Sequence, residues 1–190
     1  PVETSKIGKA YRFDESGPRY IEFCKSTVPP DISFSSLRIV LDCANGACYK
    51  VSPEIFEELG AEVIALGDNP DGYNINQGCG STHPELIKKE VIKHRADYGI
   101  SLDGDGDRVI LVDEKGSILD GDDLLYILAF SNPNRTGPWS GVVGTLMSNL
   151  GLEDGIKKLG YKFKRADVGD KYVSKMLADK GWMLGGETSG

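Results

Sequence analysis

The segment Asp103-Gly104-Asp105-Gly106-Asp107-Arg108 places three carboxylates at every second position, with glycine between them. In a strand that spacing puts all three on one face, and the glycines let the backbone curl until the carboxylates converge. At an effective dielectric of 20, two carboxylates about 4 Å apart repel by roughly 4 kcal/mol, so a convergent trio calls for a cation. Hard oxygen donors suit Mg²⁺ or Ca²⁺ rather than zinc. Arg108, next to the loop, is placed to help hold a phosphate. The bland alternative is a solvated Gly/Asp turn between two strands. A sharper rival is an EF-hand, because Asp103, Asp105, Asp107 and Glu114 match the first, third, fifth and last ligand positions of its calcium loop. That loop requires glycine where Arg108 stands, and a helix on each side. Here both flanks, Tyr98 to Leu102 and Val109 to Val112, read as strands, and Glu114 lies beyond the second.

A second polar segment closes the chain. In Gly186-Glu187-Thr188-Ser189-Gly190 a carboxylate and a hydroxyl two residues apart can chelate neighbouring hydroxyls of a ligand, although alone the string reads as any polar turn. It is not a nucleophile elbow, since Glu187 stands where the first glycine belongs. Gly169-Asp170-Lys171 opens a helix, whose N-terminus suits an anion. Lys171 can approach a phosphate there, while Asp170 also fits the role of N-cap. Of the two histidines, His83 sits in a turn signature and His94 on a solvated helix face. Neither lies near a candidate nucleophile, which argues against a Ser-His-Asp mechanism. Cys43, Cys48, Cys79 and His83 fit no standard zinc spacing. With Cys24, the cysteines read as free thiols of a reducing cytoplasm.

Composition sets the background. The 190 residues carry a net charge of -7, of which -6 falls between Asp103 and Asp123. The chain is therefore near neutral with one acidic segment, and it has no basic patch of the kind nucleic-acid binders carry. Apolar residues at 39% and charged residues at 27% are ordinary for a folded chain and argue against disorder. The longest apolar run, Leu124 to Phe130, falls far short of the ~20 residues of a membrane span. No basic stretch followed by an apolar one reads as a signal peptide. The chain begins at Pro1 and stops directly after a glycine-rich motif, which leads us to expect a portion of a longer protein.

These residues must be positioned by an alternation of strands and helices. Helices are predicted over 19–27, from Ser52 as N-cap to Gly60, and from Thr82 to about Arg95, where Thr82 and Glu85 form a capping-box signature. Strands are predicted at 37–41, 61–66, 98–102 and 109–112. Asp120 to Asp123 then caps a helix reaching Phe130, followed by a loop to Ser140. A strand (141–146), a helix (150–159), a strand (161–166), a helix (169–180) and the start of a strand (182–184) complete the pattern. Such alternation implies α/β units with crossover helices, and the restart near residue 117 implies two in tandem.

The Asp103 to Arg108 loop between two strands resembles the metal-binding loop of the α-D-phosphohexomutases. The resemblance runs over essentially the whole chain, carried also by residues 8–12, 19–27, 42–47, 79–85, 144–149, 168–173 and 186–190. It implies two tandem α/β domains with mixed sheets flanked by helices, the second incomplete. On this basis 1–16 is the tail of the family's first domain or a linker, 17–117 its second domain and 118–190 part of its third. The resemblance further implies an intramolecular phosphotransferase that moves a phosphoryl group between the 6- and 1-positions of a hexose. The route is an active-site phosphoserine and a bisphosphorylated intermediate. Asp103, Asp105 and Asp107 would hold Mg²⁺, Glu187 and Ser189 would bind sugar hydroxyls, and Arg108 and Lys171 would approach substrate. Lys171 stands where the family usually has Arg, which keeps the charge and loses the bidentate geometry. The family's phosphoserine and phosphate-binding loops fall outside this chain, so the chain alone is expected to be inactive. The strings at 79–85 and 144–149 favour a glucosamine phosphate over a mannose or glucose phosphate as substrate. The expected setting is the cytoplasm, with no nucleic-acid or membrane partner, and a homodimeric parent is compatible with the sequence.

Overall fold

The computed structural model describes residues 2–3 and 6–189. The beginning of the 1–16 segment and the final glycine of the 186–190 motif thus fall in part outside the described residues.

The first unit is built on five strands. Helix α1 (Ser16–Ser26) precedes β1 (Arg38–Asp42), α2 (Val51–Glu58), β2 (Glu62–Leu66), α3 (Glu85–His94), β3 (Tyr98–Leu102), β4 (Val109–Asp113) and β5 (Ile118–Leu119). The sheet order is β2-β1-β3-β4-β5. β1 pairs parallel with both β2 and β3, as helical crossovers require, and β3, β4 and β5 continue antiparallel. Val40, Ile87, Val91, Ala96 and Val112 form the buried core between α3 and the sheet. Val40 and Leu41 are both fully buried, so β1 is covered on both faces.

The second unit follows with α4 (Gly121–Ser131), β6 (Gly141–Thr145), α5 (Leu150–Lys158), β7 (Lys162–Ala166), α6 (Asp170–Lys180) and β8 (Leu184–Gly185). Its sheet order is β7-β6-β8, with both pairings parallel. The mixed character expected of both sheets is therefore confined to the first. Each connection in the second sheet carries a helix, which returns the chain to the same end. Val142 faces a core shared with Leu125, Leu152 and Ile156, and Val143 faces one shared with Ala166 and Val173. The two clusters place α4 and α5 on one side of the sheet and α6 on the other.

Three local expectations are revised. Helix α2 begins at Val51 with Lys50 as an N-cap that makes no side-chain bond, so Ser52 lies inside the first turn, donating its N–H to Cys48 O at 3.0 Å. The Thr82/Glu85 capping box does not form, and Pro84 stands at the N-cap of α3. The residues on either side of Thr82 are committed elsewhere: Ser81 N–H bonds Leu102 O at 2.9 Å, tying this turn to the end of β3, and His83 N–H bonds Gly80 O at 2.8 Å. The box at Asp120 and Asp123 does form, with Asp120 accepting from the N–H groups of Asp122 and Asp123. Asp170 is the first residue of α6, behind a Gly169 N-cap at φ 124°. The short strand β5, absent from the sequence reading, extends the first sheet as far as Leu119.

Candidate active site

The acidic loop is the tip of the β3–β4 hairpin, which closes at the pair Leu102 and Val109. One carboxylate oxygen from each of Asp103, Asp105 and Asp107 lies within 4.8 Å of the other two. Asp103 is buried, at 1% exposure, and the other two are exposed. Asp103 accepts from Arg108 twice, from its N–H at 3.1 Å and from its Nε at 2.8 Å. Arg108 Nε also stands 3.7 Å from Asp107 Oδ1. Burial works to raise the Asp103 carboxyl, but the Arg108 N–H and guanidinium outweigh it and hold the group below the usual carboxylate range. Asp107 is pushed up, by desolvation first and then by the charges of Asp105 and Asp103. One guanidinium thus faces three carboxylates, and an all-oxygen donor set of this kind fits a hard divalent cation.

Strands rather than helices flank this loop, which disposes of the EF-hand. Glu114 follows β4 directly, five residues along the hairpin from the loop and at its opposite end, about 17 Å away at strand rise. The cysteines do not form a metal group: among the described residues only the aspartate trio gathers three such ligands. All four cysteines are free, and burial pushes the Cys43 thiol up to about 12. His94 is not simply solvated, since its Nε2 lies 3.2 Å from Glu90 Oε2.

A cavity of about 360 Å³ opens between the two units. Asp107 and Arg108 line it from the first unit, and Asp170, Ser174, Glu187 and Ser189 from the second. The 186–189 loop is held at its base by Gly186 N–H on Val143 O at 3.0 Å and by Gly121 N–H on Thr188 O at 2.9 Å. Only glycine fits at 121, because a Cβ there would overlap Glu187 O. Glu187 Oε1 accepts the Gly169 N–H at 2.7 Å, so one of its carboxylate oxygens is anchored at the head of α6. Four of the seven residues singled out from the sequence therefore share this cavity, and Asp103 and Asp105 lie with Asp107 in the loop at its edge. Lys171 is placed differently: its ammonium lies 4.8 Å from the Tyr172 ring centroid, and it does not line the cavity. Ser174 went unnoticed in the sequence, although it stands four residues after Asp170 on the same helical face.

The fold and site define a class: two tandem α/β units with an acidic loop of the first facing a polar loop of the second across a shared cavity. Residues 18–116 match the sequence profile of phosphoglucomutase/phosphomannomutase alpha/beta/alpha domain II, and residues 120–190 that of alpha/beta/alpha domain III. The chain belongs to the phosphoglucomutase/phosphomannomutase family. It is 57% identical over 189 residues to a phosphoglucosamine mutase of Legionella pneumophila and 56% identical to that of Thioalkalivibrio sulfidiphilus. Each match covers 100% of this chain and 42% of the relative. The crystal structure of a phosphoglucomutase/phosphomannomutase family protein from Burkholderia thailandensis superimposes with a TM-score of 0.78 at 26% identity, covering 92% of this chain and 38% of that one.

Proposed function

We propose that this chain forms the central part of a phosphoglucosamine mutase, an enzyme interconverting glucosamine 6-phosphate and glucosamine 1-phosphate through a phosphoserine and a bisphosphorylated sugar. Amino-sugar nucleotides and cell-wall precursors are the corresponding products downstream. The observation that carries this reading is 56–57% identity to phosphoglucosamine mutases across the entire chain. In this reading 1–16 is a domain tail or linker, 17–117 the metal-loop domain and 118–190 the sugar-loop domain.

Asp103, Asp105 and Asp107 are the residues that would hold Mg²⁺, which their oxygen donors and mutual proximity support. Bound there, Mg²⁺ supplies neutralisation of phosphoryl oxygens, the main requirement of phosphoryl transfer. Arg108 keeps Asp103 ionised and presents the rest of its guanidinium to the cavity, where it can meet a phosphate. Glu187 is oriented by the Gly169 N–H, leaving its second oxygen to accept from a sugar hydroxyl, with Ser189 two residues on as donor or acceptor. Lys171, over the Tyr172 ring, requires a change of rotamer to reach a bound phosphate. The phosphoserine belongs to a part of the enzyme outside these residues. We place the enzyme in the cytoplasm, acting on a hexosamine phosphate with no nucleic-acid or membrane partner, and a homodimeric parent is consistent with this role.

The test is a panel of glucosamine, mannose and glucose phosphates, assayed with the longer protein that contains this chain and with the 190-residue chain alone. The expected result is preference for glucosamine phosphates by the longer protein and no turnover by the chain alone. Preference for mannose or glucose phosphates would move the assignment to the phosphomannomutase/phosphoglucomutase branch.

A further inference from the structure

The acidic loop does not hold its shape alone. Residues 42–47, at the exit of β1, lie directly against it. Ala47 N–H donates to Gly104 O at 2.8 Å, and a Cβ on Gly46 would overlap that same oxygen and lie 2.5 Å from Gly104 Cα. Gly46 is not among the glycines with positive φ, so its backbone would accept alanine. Glycine is required here only by the close approach of two backbones. Gly104 is the residue between Asp103 and Asp105, so whatever displaces it displaces both carboxylates.

The path of the 42–47 turn is fixed in turn by a buried carboxylate. Asp42 is fully buried, and its Oδ1 accepts the Ala44 N–H at 2.9 Å. Its Oδ2 accepts the Gly80 N–H at 2.7 Å and lies 3.5 Å from Ser101 Oγ. One side chain thus joins the end of β1, the 79–83 turn and β3. The next residues, Ala44 and Asn45, adopt left-handed conformations at φ 54° and 49°. That strain is sustained by fixed partners, with Asn45 N–H on Gly67 O at 2.6 Å and Asn76 N–H on Ala44 O at 2.8 Å.

We propose that Asp42 and Gly46 are positioning residues for the acidic loop: Asp42 fixes the turn that carries Gly46 and Ala47 onto Gly104, and that contact sets the separation of the loop carboxylates. This rests on the metal reading given above. Ligands of a divalent cation must sit within a few tenths of an ångström of their bonding distances, and a loop with two glycines has no stiffness of its own to ensure it.

Two measurements on the 190-residue chain separate the brace from the metal. In the metal-free chain, amide hydrogen exchange at Ala47 and Gly106 is expected to accelerate at least tenfold in Gly46→Ala, while Val40 and Val112 in the core keep their protection. Mn²⁺ titration by electron paramagnetic resonance is expected to show about tenfold weaker binding in Gly46→Ala, the scale of effects from residues that orient ligands, and loss of binding in Asp103→Asn. Should Gly46→Ala not fold by circular dichroism, the near-isosteric Asp42→Asn is read instead, with the same expectations. Unchanged exchange at Ala47 and Gly106 overturns the brace, whatever the metal does. Faster exchange with unchanged Mn²⁺ affinity overturns the positioning role. If Asp103→Asn binds Mn²⁺ as the unsubstituted chain does, or neither binds at millimolar Mn²⁺, the metal reading falls and the positioning role with it.

Discussion

The acidic loop and the 186–189 loop face the same cavity but are held by different means. The acidic loop is fixed by backbone against backbone, with Gly46 and Gly104 too close for any side chain between them. Beside that contact, Arg108 is bonded twice to the buried Asp103. The 186–189 loop is fixed by backbone N–H groups at the heads of two helices, Gly121 of α4 on Thr188 O and Gly169 of α6 on the Glu187 carboxylate. The first arrangement tolerates little displacement and suits a cation with short, fixed bond lengths. The second anchors one oxygen of Glu187 and leaves the other to adapt, as hydroxyl recognition allows. The comparison can be broken at three levels, in decreasing order of effect.

The largest effect is expected in the loop itself. Asp105 is exposed and so contributes little to stability, yet it is one of the three converging carboxylates. Asp105→Asn in the longer protein is expected to lower kcat/KM for glucosamine 6-phosphate by at least about 100-fold, the scale of losing a major electrostatic contributor. The unfolding midpoint should not move. Activity within a few-fold of the parent would remove the acidic loop from the chemistry and leave the 186–189 loop as the principal feature of the cavity.

A middle-sized effect separates the helix ends of the two units. Asp120→Ala removes a formed capping box and is expected to cost about 1 kcal/mol by urea unfolding. Thr82→Ala, at a capping signature that the fold does not use, should change stability by less than about 0.5 kcal/mol. The two signatures look alike in sequence, and their difference shows where sequence reading stops. Asp120 follows a two-residue strand and has only its own helix to serve. Thr82 lies in a turn whose neighbours Ser81 and His83 are committed to Leu102 and Gly80. A tertiary bond overrides a local signal, and nothing within a window of four residues announces it.

The same reasoning accounts for the rest. The convergence of the aspartate trio was legible because its spacing is local, with glycine between the carboxylates. The strand and helix order was legible from period and punctuation, and the boundaries moved by only a few residues. The contact of Gly46 with Gly104 was not legible, since it joins residues far apart in sequence and is marked only by the absence of two side chains. Lys171 was placed correctly at the head of α6, but which way its ammonium turns depends on Tyr172, and that choice is made in packing.

The smallest effect concerns ion pairing in the second unit. Glu153 on α5 accepts from Lys157 Nζ at 2.6 Å and from Arg165 Nε at 2.9 Å. The Lys157 bond first, and then Arg165, hold its carboxyl below the ordinary glutamate range. A carboxyl whose folded pKa is depressed adds stability above its unfolded pKa and loses it as pH falls through the folded value. Glu153 is solvated, so water and salt screen the pair and its contribution at neutral pH is small. Arg165 also donates to Thr145 O and Ser148 O, so the pair steadies the 145–149 loop beside the cavity. Glu153→Gln is therefore expected to lower the unfolding temperature slightly at pH 7, with the gap from the parent closing as pH falls below the ordinary glutamate range and the parent carboxylate is protonated. The gap should also shrink in high salt, which screens exposed pairs. A gap that is constant from neutral to acid pH would mean that Glu153 acts through packing rather than charge.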